Sequence, residues 1–200
     1  MPVDKGKIGI FLDRDGTISE EVGYVCNIEN FSIYEFSSKA IKNLNKLGVK
    51  VIVTTNQGGI AKGLYTEETV NSIHKKMKDL LEKDGAHIDA IYYCPHHSEG
   101  IIERYKINCI CRKPKIGMLL EASKRFNVKL DNSFVIGDKI SDVETGYNSG
   151  AKSILVMTGF GKDSLRKINE NNCKKPNFVA ENLLEASEII YKEINKIYKI

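Results

Sequence analysis

The chain has no apolar stretch approaching the roughly 20 residues that a membrane-spanning helix requires. Its opening residues, Met1-Pro2-Val3-Asp4-Lys5, lack the apolar core of a signal peptide. The expected location is cytoplasmic, with no membrane partner. Repeats, low-complexity tracts and a clear interdomain linker are also missing, and 200 residues suit one domain, expected to span 1–200. Positive charge is in excess, at a net +4, but it forms no stripe; only short groups such as Lys75-Lys76 and Lys174-Lys175 occur. Nucleic-acid binding needs a clustered basic face, so the expectation is a solvated lysine-rich surface without a nucleic-acid partner. The same excess can gather an anionic substrate. With 42% hydrophobic and 28% charged residues, the composition is that of an ordinary globular protein able to bury its own core.

Two aspartates one residue apart close the first apolar run. Ile8-Gly9-Ile10-Phe11-Leu12 leads directly into Asp13-Arg14-Asp15-Gly16-Thr17. An apolar run that stops abruptly at acids reads as a buried strand delivering carboxylates to a sheet edge. Two carboxylates this close repel each other unless a cation or a proton lies between them. The pattern implies a metal, a nucleophile paired with an acid/base, or both.

Further β-type runs alternate with helical patterns. Strands are expected at 7–13, 49–54, 88–93, 133–136, 153–157 and 177–180. Helices are expected at 38–47, 66–83, 117–127, 141–149, 163–171 and 181–198, with Thr66 capping the second and glycines stopping the first and fourth. This alternation predicts a three-layer, Rossmann-like α/β fold: a parallel sheet with helices on both faces. Right-handed crossovers then collect every strand's C-terminal end on one rim, where ligands of such sheets bind. Asp13, Thr54-Thr55-Asn56, Cys94 and Asp138 should meet there. The segments 19–36 and 94–114 are long loops, and loops of that length are usually functional.

The residue types suit phosphoryl transfer. A carboxylate such as Asp13 can attack phosphorus, and a second, Asp15, can protonate the leaving oxygen and then activate water. Thr55-Asn56-Gln57-Gly58-Gly59 offers hydroxyl, amide and backbone N–H groups as a phosphate cradle. Lys113 can neutralise phosphate charge and Arg112 can grip a second anionic group. Asp138 is a hard oxygen ligand suited to Mg²⁺ together with Asp13. Asp142 can position Lys139, act from behind the site, or simply compensate a helix N-terminus. Cys94-Pro95-His96-His97 and Cys109-Ile110-Cys111 together offer three thiolates and an imidazole, the donor set of four-coordinate structural zinc. His96 rather than His97 is the expected ligand, because C-x-H at 94 and 96 mirrors C-x-C at 109 and 111. A metal clip there would order the loop and fix Arg112-Lys113 just beyond it. His74 and His87 carry no pattern and are read as surface or packing residues. Cys26 and Cys173 stand alone.

Phe11-Leu12-Asp13-Arg14-Asp15-Gly16-Thr17, Thr55-Asn56-Gln57, Lys113 and Gly137-Asp138-Lys139 resemble, in order, the four motifs of the haloacid dehalogenase-type phosphatases. Gly23-Tyr24-Val25, Tyr92-Tyr93-Cys94-Pro95-His96-His97, Cys109-Ile110-Cys111-Arg112-Lys113-Pro114 and Gly117-Met118-Leu119-Leu120 narrow this to the heptose-bisphosphate branch, whose zinc loop most of the superfamily lacks. The resemblance covers roughly residues 7 to 190. It implies a Mg²⁺-dependent phosphomonoesterase without a large cap domain, acting on a small sugar phosphate in nucleotide-activated heptose biosynthesis, as a monomer. It further implies that Asp13 is the nucleophile and Asp15 the acid/base. Asp13, the Asp15 carbonyl and Asp138 would bind Mg²⁺. Thr55 and Lys113 would hold the phosphate, and Asn56, Gln57, Arg112 and Lys139 would contact the substrate. Cys94, His96, Cys109 and Cys111 would hold zinc. Histidinol-phosphate phosphatases share these features and are the nearest alternative. A zinc-clipped nucleic-acid-binding module is the alternative of another class, and it leaves the strand-end motifs unexplained. Two departures from the family pattern stand out: Gly58-Gly59 where Ser-Gly is common, and Ser37-Ser38 at the start of the first helix.

Overall fold

A computed structural model describes residues 5–171 and 173–198. Met1–Asp4, on which most of the signal-peptide reading rests, lie outside the described residues. Six strands form one parallel sheet: β1 (Gly9–Leu12), β2 (Lys50–Asn56), β3 (Ala90–Cys94), β4 (Phe134–Gly137), β5 (Lys152–Val156) and β6 (Phe178–Ala180). Their spatial order is β3-β2-β1-β4-β5-β6 and each neighbouring pair is parallel. Six helices intervene: α1 (Ser37–Lys46), α2 (Glu67–Lys83), α3 (Gly117–Phe126), α4 (Ile140–Ser149), α5 (Gly161–Glu170) and α6 (Leu183–Tyr198).

Strands β1 and β4 are buried along their whole length, because both faces are covered. Side chains alternate between the faces. Ile10 and Leu12 pack with Ala40, Ile41 and Leu44 of α1, Ile73 and Met77 of α2, and Leu183, Ala186 and Ile190 of α6. Phe11, between them, joins Ile52, Val135 and Leu119 of α3 on the opposite face. Val143 of α4 and Ile168 of α5 pack on Leu155 of β5. The layers therefore hold α1, α2 and α6 on one side and α3, α4 and α5 on the other. Among the described residues no helix is long and apolar enough to cross a membrane.

β1 lies between β2 and β4, so the chain winds outwards in both directions from it. This is the switch point at which open α/β sheets bind ligands. Boundaries differ from the sequence expectation by a few residues, and one shift has a physical reason. β2 runs on through Thr54-Thr55-Asn56 because β3 continues beside it, pairing Thr55 with Tyr93 and Asn56 with Cys94. Backbone pairing thus outweighs the polar character of those side chains. Thr66 caps α2 as expected, accepting from the Thr69 N–H at 3.3 Å.

Leu44 is fully buried between α1 and the sheet. Leu44→Ala should destabilise the chain by about 2–5 kcal/mol in chemical denaturation. A loss below half a kcal/mol would show that α1 does not carry the core.

Candidate active site

The acids leave β1 and β4 side by side. The Asp13 N–H donates to Ile136 O at 2.8 Å, which ties the end of β1 to β4. One carboxylate oxygen each from Asp13, Asp138 and Asp142 lies within 4.8 Å of the others, and all three residues are buried. Lys113 enters from the loop before α3. Its Nζ lies 2.9 Å from Asp13 Oδ1 and 2.6 Å from Asp142 Oδ1. Asp142 also accepts the Lys139 N–H at 3.1 Å on its other oxygen. It therefore caps α4 and holds Lys113 at once, while the Lys139 ammonium pairs with Glu21 at 2.8 Å.

Asp138 is held but not saturated. Its Oδ2 accepts the Phe160 N–H at 2.8 Å, and its carbonyl accepts the Ser164 hydroxyl at 2.8 Å. Its Oδ1 is buried and has no hydrogen-bond partner. Two glycines crowd this carboxylate. At Gly16 (φ +82°) a Cβ would sit 2.2 Å from Asp138 Oδ2, and at Gly159 (φ +52°) 2.3 Å. Only glycine accepts that conformation and that proximity together.

Asp15 faces a different set of groups. Arg14 grips it with two bonds, Nε to Oδ1 and Nη2 to Oδ2, each 2.8 Å. Gln57 Nε2 donates to Asp15 Oδ2 at 3.0 Å and to Thr55 Oγ1 at 2.9 Å. The buried Arg14 rests against His74 Nε2 at 3.2 Å. Burial and the Arg14 charge lower the His74 pKa to about 3, so the ring is a neutral acceptor. Asn56 forms a reciprocal pair with the Lys113 backbone, donating to its carbonyl at 3.1 Å and accepting its N–H at 3.0 Å. A cleft of about 450 Å³ brings Asp15, Asn56, Gln57, Arg112, Lys113 and Lys139 to one surface, faced by Glu21, Tyr24, Tyr65 and His97. Thr55 lies buried beside it.

The loop after β3 gathers a second cluster. Cys94, Cys109 and Cys111 place their sulfurs 3.2–3.4 Å apart, and His96 Nδ1 lies 3.4 Å from Cys111 Sγ and 3.7 Å from Cys94 Sγ. These are edges of a small tetrahedron, the shape structural zinc requires. His97 turns away, its Nδ1 accepting the Glu99 N–H at 3.1 Å. Tyr105 in the loop and Tyr93 on β3 both donate to Glu67 at the start of α2. Arg112 donates to His96 O at 3.1 Å, which joins the cluster to the cleft.

The HAD-hydrolase-like family model matches residues 110–186. A D-glycero-beta-D-manno-heptose-1,7-bisphosphate 7-phosphatase of Pasteurella multocida is 40% identical over 185 residues, covering 92% of this chain and 97% of that protein. The chain belongs to the heptose-bisphosphate phosphatase family of HAD-like hydrolases. The protein of the same description in Escherichia coli K12 is 41% identical over 152 residues, 75% of this chain and 79% of that one. The D,D-heptose 1,7-bisphosphate phosphatase of B. bronchiseptica, solved with magnesium and phosphate, superposes with a TM-score of 0.82 at 31% identity, covering 93% of this chain and 99% of that one.

Within this family fold the electrostatics point to cations. Burial, reinforced by the Asp13 charge, pushes the Asp138 carboxyl up to about 8. Burial likewise raises Asp142, against the pull of Lys113. Burial works against the Lys113 charge, but Asp13 and Asp142 more than offset it and its pKa stands above the ordinary lysine value. A divalent ion at the free Asp138 oxygen would reverse the penalty on the carboxylates. Asp138 and Asp13, with the Asp15 carbonyl, fit Mg²⁺ by donor type. In the sulfur cluster burial pushes the Cys94 thiol up. Cys109 is also opposed by burial, yet hydrogen bonds from Cys111 and Cys94 bring it to about 6. Left alone, the cluster favours one thiolate over three, whereas a bound dication favours all three. The donor set therefore fits zinc.

Four contributors were not singled out from the sequence: Arg14, Glu21, Tyr65 and His74. Arg14 had a signal, since a cation between two acids in one turn is placed to pair with one. The other three act across the fold and leave no local pattern. Cys109→Ser should abolish zinc binding, read as zinc per chain by elemental analysis, and loosen 94–111 to proteolysis. Retention of full zinc would remove Cys109 from the ligand set.

Proposed function

We propose that the chain is a Mg²⁺-dependent phosphomonoesterase that removes the 7-phosphate of D-glycero-D-manno-heptose 1,7-bisphosphate through an aspartyl-phosphate. It would act as a monomeric, single-domain cytoplasmic enzyme of nucleotide-activated heptose synthesis, with no nucleic-acid partner. One observation carries the reading. Asp13 and Asp138 meet in a buried pocket with an unsatisfied carboxylate oxygen, beside Lys113 and a cleft that also holds Asp15.

Asp13 attacks phosphorus, forming the acyl-phosphate bond as the bond to the sugar oxygen breaks. Lys113, already fixed between Asp13 and Asp142, steadies the charge on the transferring group. Asp15 gives a proton to the departing alkoxide and takes one from the water that cleaves the acyl-phosphate. Burial would raise Asp15, but the Arg14 charge and the hydrogen bonds from Arg14 and Gln57 leave it below its ordinary pKa. That favours the carboxylate that accepts the water's proton. An arriving phosphate dianion raises its proton affinity for the first step. Bound at Asp13 and Asp138, Mg²⁺ would supply charge that lets phosphate approach a carboxylate. Thr55 would hold a phosphate oxygen. Asn56, Gln57, Arg112 and Lys139 would shape the sugar's surroundings, with Asn56 and Gln57 acting mainly by holding Lys113 and Asp15.

The test is phosphate release from heptose 1,7-bisphosphate, the beta anomer first, and from histidinol phosphate, with Mg²⁺ and with EDTA. Turnover should favour the heptose ester, vanish with EDTA and fall at least about a thousandfold in Asp13→Asn. Faster cleavage of histidinol phosphate would overturn the substrate. Activity in Asp13→Asn would overturn the nucleophile.

A further inference from the structure

Gln57 is 2% exposed, and its amide is held at both ends within the protein. Its backbone N–H is pinned to Cys94 O at 2.8 Å. Its Nε2 donates to Asp15 and Thr55, and its Oε1 accepts from the Tyr65 hydroxyl at 2.8 Å. The two ends of a primary amide have nearly the same shape and opposite hydrogen-bonding character. If this amide turned over, Oε1 would face the Asp15 carboxylate, acceptor against acceptor. The Asp15 carboxylate itself opposes that flip, and a donor held at the far end of the amide would lock the same orientation from the other side. The Tyr65 hydroxyl can do so, since it supplies a donor at the far end of the amide. Burial pushes the phenol up to about 12, so it keeps its proton. Its ring lies close against Gly59: a Cβ there would sit 2.4 Å from it, so the ring fills the space a larger residue would take.

We propose that Tyr65 is a positioning residue, which sets the orientation of the Gln57 amide and through it the placement of Asp15 against Arg14. This rests on the reading of Asp15 as acid/base. Tyr65 need not touch the substrate. Its removal should harm the steps in which Asp15 moves a proton and spare those in which it does not.

A double-mutant cycle of Tyr65→Phe and Gln57→Ala tests this, with Mg²⁺ and zinc-replete protein. The substrates are heptose 1,7-bisphosphate and p-nitrophenyl phosphate, whose leaving group departs without a proton. Tyr65→Phe keeps the ring and should lower kcat/KM about tenfold on the sugar ester with KM nearly unchanged, and less than about twofold on the aryl ester. On the Gln57→Ala background the same change should cost less than about twofold, because the two residues act as one unit. Equal losses on both backgrounds, equal losses on both esters, or a loss carried by KM would each overturn the proposal. Gln57→Glu provides a check that does not depend on how Tyr65→Phe folds. It puts an acceptor toward Asp15 and should be less active than Gln57→Ala; near wild-type activity would overturn the proposal. If the wild type ignores the heptose ester but cleaves another alkyl phosphate, the substrate reading fails and the cycle is read on that ester. A wild type that cleaves no phosphate ester overturns both.

Discussion

The pairing of one buried lysine with two buried aspartates organises the site. Lys113 bridges Asp13, just past β1, and Asp142 on α4, so residues a hundred positions apart share one charge network. Burying charge is costly unless each charge is paired, and losing one partner of such a pair costs about 3–5 kcal/mol. Asp138 adds a further acid with one oxygen unmet. Three buried acids thus share one buried lysine, and burial with the neighbouring Asp13 charge raises the Asp138 carboxyl to about 8, so near neutral pH it holds its proton. A divalent cation would let these carboxylates ionise together, which is the source of the site's preference for one.

The loop after β3 makes the lysine's position possible. Cys94 ends β3, and Cys109 and Cys111 lie just ahead of Arg112 and Lys113. Closing these sulfurs and His96 around one ion would fix where the chain stands two residues before the lysine. Asn56 then clamps the Lys113 backbone from β2. Tyr93 and Tyr105 tie the same loop to Glu67 at the start of α2. The loop is thus anchored to β2, β3 and α2, and the cleft's wall inherits that rigidity. A family without a large cap domain has few other ways to shape a substrate cleft.

Much of this was legible in the sequence because each signal was local. Apolar runs ended in acids at Asp13 and, after Gly137, at Asp138, and strand-helix alternation was enough to place both on one rim. The paired C-x-H and C-x-C spacing identified the sulfur cluster and separated His96 from His97. What stayed hidden depends on contacts made across the fold. Asn56 was read as a substrate contact, and the folded chain adds that its side chain pairs with the Lys113 backbone. His74 was read as a surface or packing residue; it is buried, and its neighbour is the guanidinium that grips Asp15. Glu21 and Tyr65 stand in loops whose sequence carries no period and no motif, so only the folded chain reveals their partners.

The most direct measurement is thermal stability with and without Mg²⁺ in the wild type and in Asp138→Asn. If the carboxylates meet as described, Mg²⁺ should raise the wild-type midpoint by several degrees, on the order expected when a ligand binds only the folded state. Asp138→Asn should match or exceed the metal-free wild type and gain nothing from Mg²⁺, because the cost of burying that carboxyl and the ion's seat are removed together. Equal stabilisation of both proteins by Mg²⁺ would contradict the account.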